Sequence, residues 1–365
     1  MKPVASLHVE LSKSSSRLAP STRDALIGEL LTMTEDSFPA GFNLAVVEKT
    51  GAIFRAWGGF SNLVDPIIKT SSSTIYDLAS LTKVVSTTTL ALWLEQQRCW
   101  KLTDTVTKWL PDFPRDDLTL IQLLTHTSGL IPHRPFFHLG QRPAAVRRAV
   151  YEEATHGGPT GSVIYSDLNF MLVGWAVVNC SQRPLDELFR DVVAEPLDMH
   201  HTRYRPRRRD LNRIAATERN GDQRLKKGLV WGEVHDGNAW SLGGVAGHAG
   251  LFGPTDDLAR FVQALLNPKR HPVLTASSVA RMSSVQAGEL PDVRGIGWRL
   301  EPVEWGAWPE GTVWHSGFTG TSLLISPPAN LGVVLMMNAI HPTRQLERQA
   351  EVRVAIHRTI AEAVG

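Results

Sequence analysis

Apolar positions along the chain fall into three regimes. Residues 21–34 place Leu26-Ile27 and Leu30-Leu31 at helical spacing with Ser21 or Thr22 ahead of them as a cap, which predicts an amphipathic helix. Phe42 to Glu48 and Ala52 to Trp57 then read as two strands joined by a short turn at Lys49-Thr50-Gly51. Between about 77 and 290 the chain is helical and loop-rich, with helices expected near 80–97, 119–125, 142–154, 168–180, 185–194 and 255–266, the last capped by Thr255. Strand patterns return at Ile296 to Glu301, Val313 to Ser316, Thr321 to Ser326 and Leu331 to Asn338, before a closing helix at about 343–363. No repeat or low-complexity linker breaks this order. Strands at both ends around a helical insert predict an α+β fold, with one antiparallel sheet built from both chain ends and flanked by the terminal helices. We expect a single domain over 1–365, with a sheet lobe at about 18–76 and 291–365 and a helical lobe at about 77–290. A site belongs in the cleft between the lobes.

Composition narrows the function classes. A chain of 365 residues, 42% hydrophobic and 20% charged, is an ordinary globular protein with room for a large core. The net charge of +2 gives no reason to expect a nucleic-acid partner, and the short basic run Arg205-Pro206-Arg207-Arg208-Arg209 reads as a solvated loop. Cys99 and Cys180 form neither a disulfide framework nor a metal spacing, and the thirteen histidines lack the paired H-E-x-x-H pattern of a zinc hydrolase. The glycine-rich stretch Gly243 to Phe252 lacks the preceding strand and G-x-G-x-x-G of a phosphate cradle. No cofactor and no metal are therefore expected. Met1 to Ser16 mixes Lys2, His8, Glu10 and Lys13 without the apolar core of a secretory signal, and no stretch approaches the roughly 20 apolar residues of a membrane span. A cytoplasmic location without membrane insertion is the expectation.

Candidate chemistry centres on Asp77-Leu78-Ala79-Ser80-Leu81-Thr82-Lys83. A largely apolar run follows Ser80, so a buried helix is expected to begin there, with Lys83 one turn on, on the same face. A serine at a helix start has unpaired N–H groups and the positive dipole end beside it, which suits a nucleophile that must hold an oxyanion. The same residues read equally well as a helix cap and a solvated lysine. Val163 to Phe170, a strand-like approach to a helix, offers Tyr165 as a proton carrier and Asp167 as a hydrogen-bonding group, or else a buried tyrosine and a helix cap. Trp314 to Thr321 has small residues that would admit a substrate or another backbone, or simply end a strand. Gly243 to Phe252 reads as a loop at the cleft rim and His248 as a packed loop histidine. Ala239-Trp240-Ser241-Leu242-Gly243 approximates a nucleophile elbow, but no strand precedes it, which weighs against an α/β-hydrolase.

S-L-T-K at Ser80, Y-S-D at Tyr165 and H-S-G at His315 stand in the order and spacing of the serine β-lactamase and penicillin-binding-protein superfamily, and the chain most resembles its class C-related esterase branch. Leu124 to Leu130 is similar to the L-x-H-T-S-G-L segment of that branch, as is Glu233-Val234-His235-Asp236 leading into Gly243 to Phe252. Lys49-Thr50-Gly51 spells the family's third motif but precedes Ser80, so His315-Ser316-Gly317 is the better match. The resemblance implies a β-lactamase-like catalytic domain in which Ser80 is acylated and Lys83 and Tyr165 share the proton transfers. Backbone N–H groups of Ser80 and Phe318 would form the oxyanion hole, and Asp167, His315, Ser316 and Gly317 would contact a small-molecule acyl substrate. Two departures stand out. Asp167 replaces a frequent asparagine and would hold Lys83 charged, leaving Tyr165 as the preferred base. His315 replaces the lactamase lysine, so recognition of a substrate carboxylate is expected to weaken. The expectation is a serine hydrolase or acyltransferase for carboxylic esters or neutral amides. The alternatives are a β-lactamase or D-Ala-D-Ala peptidase, a biosynthetic transacylase, and a silent binding protein on the same fold.

Overall fold

The computed structural model describes residues 6–12, 18–219 and 228–363; much of Met1 to Ser16 lies outside them. The main sheet takes its strands from both ends of the chain. β1 (Leu7–Leu11), β2 (Gly41–Glu48), β3 (Gly51–Asn62) and β4 (Ile68–Lys69) come from the first part. β8 (Arg299–Leu300), β9 (Val313–Ser316), β10 (Ser322–Ser326) and β11 (Leu331–Met337) come from the last. Their order is β1-β3-β2-β11-β10-β9-β8, with β4 added to β3, and every pairing is antiparallel. A second, three-stranded sheet joins β5 (Ile75–Asp77), β7 (Leu251–Pro254) and β6 (Arg203–Tyr204) in the order β5-β7-β6.

Side chains alternate across a strand, and the alternation divides this sheet between two cores. Phe42, Leu44 and Val46 of β2 with Val333 and Leu335 of β11 pack under the terminal helices Pro20–Glu35 and Leu346–Ala361 against Leu26, Leu30 and Ile360. Their neighbours Ala45, Val47, Val334 and Met336 face the other way, into the larger core shared with the helical insert. β2 is buried along its whole length, so its register is specified on both faces at once. Each fully buried aliphatic side chain contributes roughly 1.5–3 kcal/mol. At the centre of the helical insert runs Asp167–Ser181, apolar on nearly every side, with Leu168, Phe170, Met171, Leu172 and Val173 all buried.

Several local expectations need correction. Neither Ser21 nor Thr22 caps the first helix: Pro20, whose fixed φ suits the first helical position, starts it after Ala19. Thr255 is likewise the first helical residue after Pro254, and its buried hydroxyl has no partner among the described residues. The strand expected over Ile296 to Glu301 shrinks to Arg299–Leu300, and residues 163–166 form no strand. β1 had no clear signal, because its alternation is short and sits on an edge. The helix after Ser80 starts at Leu81 and winds as a π-helix over Lys83–Thr88 before becoming regular at Thr89–Gln96. Val84, Val85, Thr87 and Thr88 are β-branched and crowd an α turn, and Thr89 Oγ1 donates to the Val84 carbonyl five residues back. Among the described residues no helix is long and apolar enough to cross a membrane.

Candidate active site

Ser80 is set by the turn that leaves β5. Leu78 N–H is held by the Leu251 carbonyl at 2.9 Å, and Ala79 takes a positive φ of 47°. That conformation costs a non-glycine residue on the order of 1–3 kcal/mol. Asp77 offsets part of this cost: one oxygen accepts the Ala79 N–H at 2.9 Å and the other the His235 N–H at 2.7 Å. Burial raises the Asp77 carboxyl above its ordinary range, with those two N–H groups pulling it back. Ser80 emerges half-buried in the turn ahead of the helix rather than within its first turn. Its hydroxyl is not used as a cap; it accepts a hydrogen bond from Lys83 Nζ at 2.9 Å.

Lys83 is fully buried. An ammonium has three donors, and all three find oxygens: Ser80 Oγ at 2.9 Å, Asp167 Oδ1 at 2.8 Å and the His248 carbonyl at 3.2 Å. Burial alone would depress its pKa, but the charge of Asp167 and then Tyr165 outweigh burial and hold it above the ordinary lysine value. The Asp167 carboxyl is held well below its usual range: burial opposes this, and the Lys83 charge followed by the His133 contact overcomes it. Asp167 thus lies within ion-pair distance of the Lys83 ammonium. His248 is indeed a packed loop histidine, with Nε2 2.8 Å from Asp236 Oδ1, and it meets Lys83 through its backbone oxygen. No side-chain pattern could have indicated that contact.

Tyr165 lines the same cavity as Ser80, its ring centroid 5.0 Å from Lys83 Nζ. The segment similar to L-x-H-T-S-G-L packs behind it. His126, itself at a φ of 60°, lies 4.6 Å from the Tyr165 ring, centroid to centroid. Ser128 Oγ donates to Asn169 Oδ1 at 2.6 Å, which turns the Asn169 amide N–H toward His126 Nδ1 at 3.2 Å; the Ser166 N–H reaches the same nitrogen at 3.1 Å. With Nδ1 accepting twice, the neutral ring carries its proton on Nε2. Burial, then Arg294 and Lys83, keeps His126 uncharged by lowering its pKa well below the ordinary value. His126, Ser128 and Asn169 were not identified as supports of Tyr165 from the sequence, because their contacts join segments about forty residues apart.

His315 is buried on β9, its Nδ1 3.0 Å from the Ser316 carbonyl. Burial, then Lys83 and Arg294, lowers its pKa well below the ordinary value, so it is neutral at physiological pH. Gly317 packs directly on the turn before Ser80: a Cβ there would lie 2.2 Å from Thr321 Oγ1 and 2.7 Å from the Leu78 carbonyl. Only glycine lets β9 approach so closely. Phe318 follows at the cleft lip, 41% exposed. Among the described residues, neither the Ser80 nor the Phe318 backbone N–H meets an acceptor, leaving two donors free at the cleft. Lys49 and Thr50 sit in the exposed β2–β3 turn and do not line the cavity. Ser241 donates to the Gly237 carbonyl at 3.0 Å beside an antiparallel sheet, so it forms no nucleophile elbow.

The cavity is about 920 Å³, and the sequence had not indicated the charge of its walls. Arg294, Arg299, Arg344 and Arg353 all line it. Arg294 is 2% exposed, pairs with Asp292 at 2.7 Å, and leaves Nε and Nη1 without partners among the described residues. Burial lowers its pKa to about 10, so it remains charged at neutral pH. The expectation of weakened carboxylate recognition was drawn from His315 alone and did not include these four arginines. These cations come from loops (Arg294, Arg344), the short strand β8 (Arg299) and the last helix (Arg353), where no spacing advertises them.

A fully buried lysine beside a half-buried serine, in a cleft next to an antiparallel sheet with strands from both chain ends, fits a serine hydrolase of the β-lactamase fold. The chain belongs to the Beta-lactamase family, matching its family model over residues 32–357, and is an enzyme of the serine β-lactamase and penicillin-binding-protein superfamily. It is 30% identical over 343 residues to an Escherichia coli (strain K12) protein named "Putative D-alanyl-D-alanine carboxypeptidase", covering 82% of this chain and 78% of that protein. Its fold is similar to a penicillin-binding protein homologue from Caulobacter crescentus, with a TM-score of 0.73 at 18% identity over 94% of this chain and 98% of that one. EstCE1, described as a hydrolase with promiscuous acyltransferase activity, is similar with a TM-score of 0.72 at 18% identity over 95% of this chain and 100% of that one.

Proposed function

We propose that this chain is a serine acyl hydrolase that works through an acyl-enzyme on Ser80, with carboxylic esters and amides as substrates. The observation that carries this reading is the saturated Lys83 ammonium beside Ser80 Oγ. A lysine with every donor engaged is a poor proton acceptor, so Tyr165, reacting as its phenolate, takes the Ser80 proton as Oγ attacks the substrate carbonyl and, as the phenol so formed, returns it to the leaving group. Lys83 stays charged and stabilises the developing alkoxide, while the free Ser80 and Phe318 N–H groups receive the carbonyl oxygen. Water then releases the acyl group; an alcohol or amine in its place gives transfer from the same intermediate.

One pH prediction follows directly. In Asp167→Asn the larger of the two charges that raise Lys83 is gone, and burial, which lowers it, gains weight. The ammonium then titrates nearer neutrality, and the alkaline limb of kcat/KM is expected to move to lower pH. An unmoved limb in a pH–rate series would show that Lys83 charge does not matter.

A second reading, a carboxypeptidase-type activity on peptides with a free carboxylate, is supported by the unpartnered Nε and Nη1 of Arg294 and by the names of the relatives. Hydrogen bonds to a charged group contribute about 1.5–3 kcal/mol, so Arg294→Gln should cost a carboxylate-bearing substrate about 10–100-fold in kcat/KM. A neutral ester with the same leaving group should lose less. Assaying both esters, a peptide ending in D-alanyl-D-alanine and nitrocefin with wild type and variant tests the choice. Equal losses on both esters would remove the second reading.

A further inference from the structure

We infer that Glu218 is a positioning residue for the oxyanion hole, acting through His235 and Arg344 on the ring of Phe318; this rests on the acyl-enzyme reading above. Phe318 contributes one of the two free N–H donors, yet its side chain is too exposed for burial to fix it. Other residues hold the ring instead. The His235 imidazole stacks on it at 5.7 Å with planes 16° apart, and the Arg344 guanidinium lies 5.2 Å from its centroid. Stacking and cation–π contacts of this kind each contribute only of the order of 0.5–1 kcal/mol at an exposed ring. Two long side chains would not stay in place for so little.

They are fixed by one buried atom. Glu218 Oε2 meets His235 Nε2 at 2.9 Å and accepts from Arg344 Nη2 at 2.7 Å, and Glu218 is 4% exposed. The three residues come from separate segments of the chain, so this carboxylate is where the clamp is assembled. The clamp also reaches the other donor. The His235 N–H binds the Asp77 carboxylate that fixes Ala79 ahead of Ser80, and the Thr319 hydroxyl donates to the Asp77 carbonyl at 2.8 Å. Glu218 therefore ties the Phe318 side of the hole to the Ser80 side. Among the described residues the Phe318 backbone has a further support in Gln349 Nε2, 3.2 Å from its carbonyl, so losing Glu218 loosens the donor without freeing it.

The test is a double-mutant cycle on ester hydrolysis. Glu218→Gln keeps the side-chain size and removes the charge. A donor displaced by a fraction of an ångström should lower kcat about tenfold, with KM within about twofold, since the hole acts in the transition state. In a Phe318→Ala background, where there is no ring to clamp, the same substitution should change kcat by less than about twofold. His235→Gln should show the same dependence on Phe318 and carries the test if Glu218→Gln does not fold. Effects of Glu218→Gln and Phe318→Ala that multiply independently, or a Glu218→Gln variant with wild-type kcat, would overturn the proposal. Intact mass separates the two levels of inference. If wild type forms a Ser80 adduct and the cycle is additive, only the clamp falls; if no adduct forms, the acyl-enzyme reading falls first.

Discussion

Tyr165→Phe is expected to lower kcat on an activated ester by about 10²–10⁴-fold, the range of a positioned general acid–base group, with little change in KM. The reasoning starts from donor counting at Lys83. Its three N–H bonds reach Ser80, Asp167 and the His248 carbonyl, and Asp167 with Tyr165 holds it charged despite burial. A proton leaving Ser80 has no vacancy on that nitrogen. Tyr165, 5.0 Å from Nζ by its ring centroid, is, among the described residues that line the same cavity as Ser80, the one phenol. Steady-state kinetics with burst-phase detection would separate acylation from deacylation. A loss below about tenfold would return the base to Lys83.

Lys83→Met should remove at least about 10³-fold in kcat, because the alkoxide loses its adjacent cation. It should also destabilise the fold by about 3 kcal/mol, since breaking a buried pair leaves the partner charge uncompensated. The sign of the pH dependence is specific. In wild type the depressed Asp167 pKa contributes stability that is present above the ordinary carboxyl value and lost as pH falls through the folded one. In the variant burial raises that pKa instead, so stability falls as pH rises through the carboxyl range. The stability gap between the two proteins should therefore be wider at pH 7 than at pH 4. Urea unfolding at both values measures it, and a gap of equal size would show that the pair is electrostatically idle.

What could be read in advance was whatever depends on local spacing. Alternation in β2 and β11, the i, i+3 relation of Ser80 and Lys83, and the small residues of His315-Ser316-Gly317 all found their places. Helix caps were read less well, because Pro20 and Pro254 set the starts of their helices and the hydroxyls beside them were not needed. The π winding over Lys83–Thr88 and the positive φ of Ala79 were not legible either: the β-branched run read as an ordinary buried helix, and the Asp77 carboxylate that holds the Ala79 turn is itself fixed by the distant His235 N–H. The largest omission was the cleft's charge. Arg294 and Arg353 come from a loop and the last helix, and only folding brings them near Tyr165 and Gly317. The histidine at 315 in place of a motif lysine was visible in the sequence; the Arg294 charge in the wall of the same cavity required the fold.

The most direct test of the Ser80 acyl-enzyme is intact mass spectrometry on wild type and Ser80→Ala, quenched within seconds of mixing with a p-nitrophenyl ester. Wild type should gain the mass of one acyl group, mapped to the peptide containing Ser80, and the variant should gain none while losing about 10⁴-fold or more in kcat. A variant that still hydrolyses the ester at a rate close to wild type, or an acyl group mapped to another residue, would contradict the account.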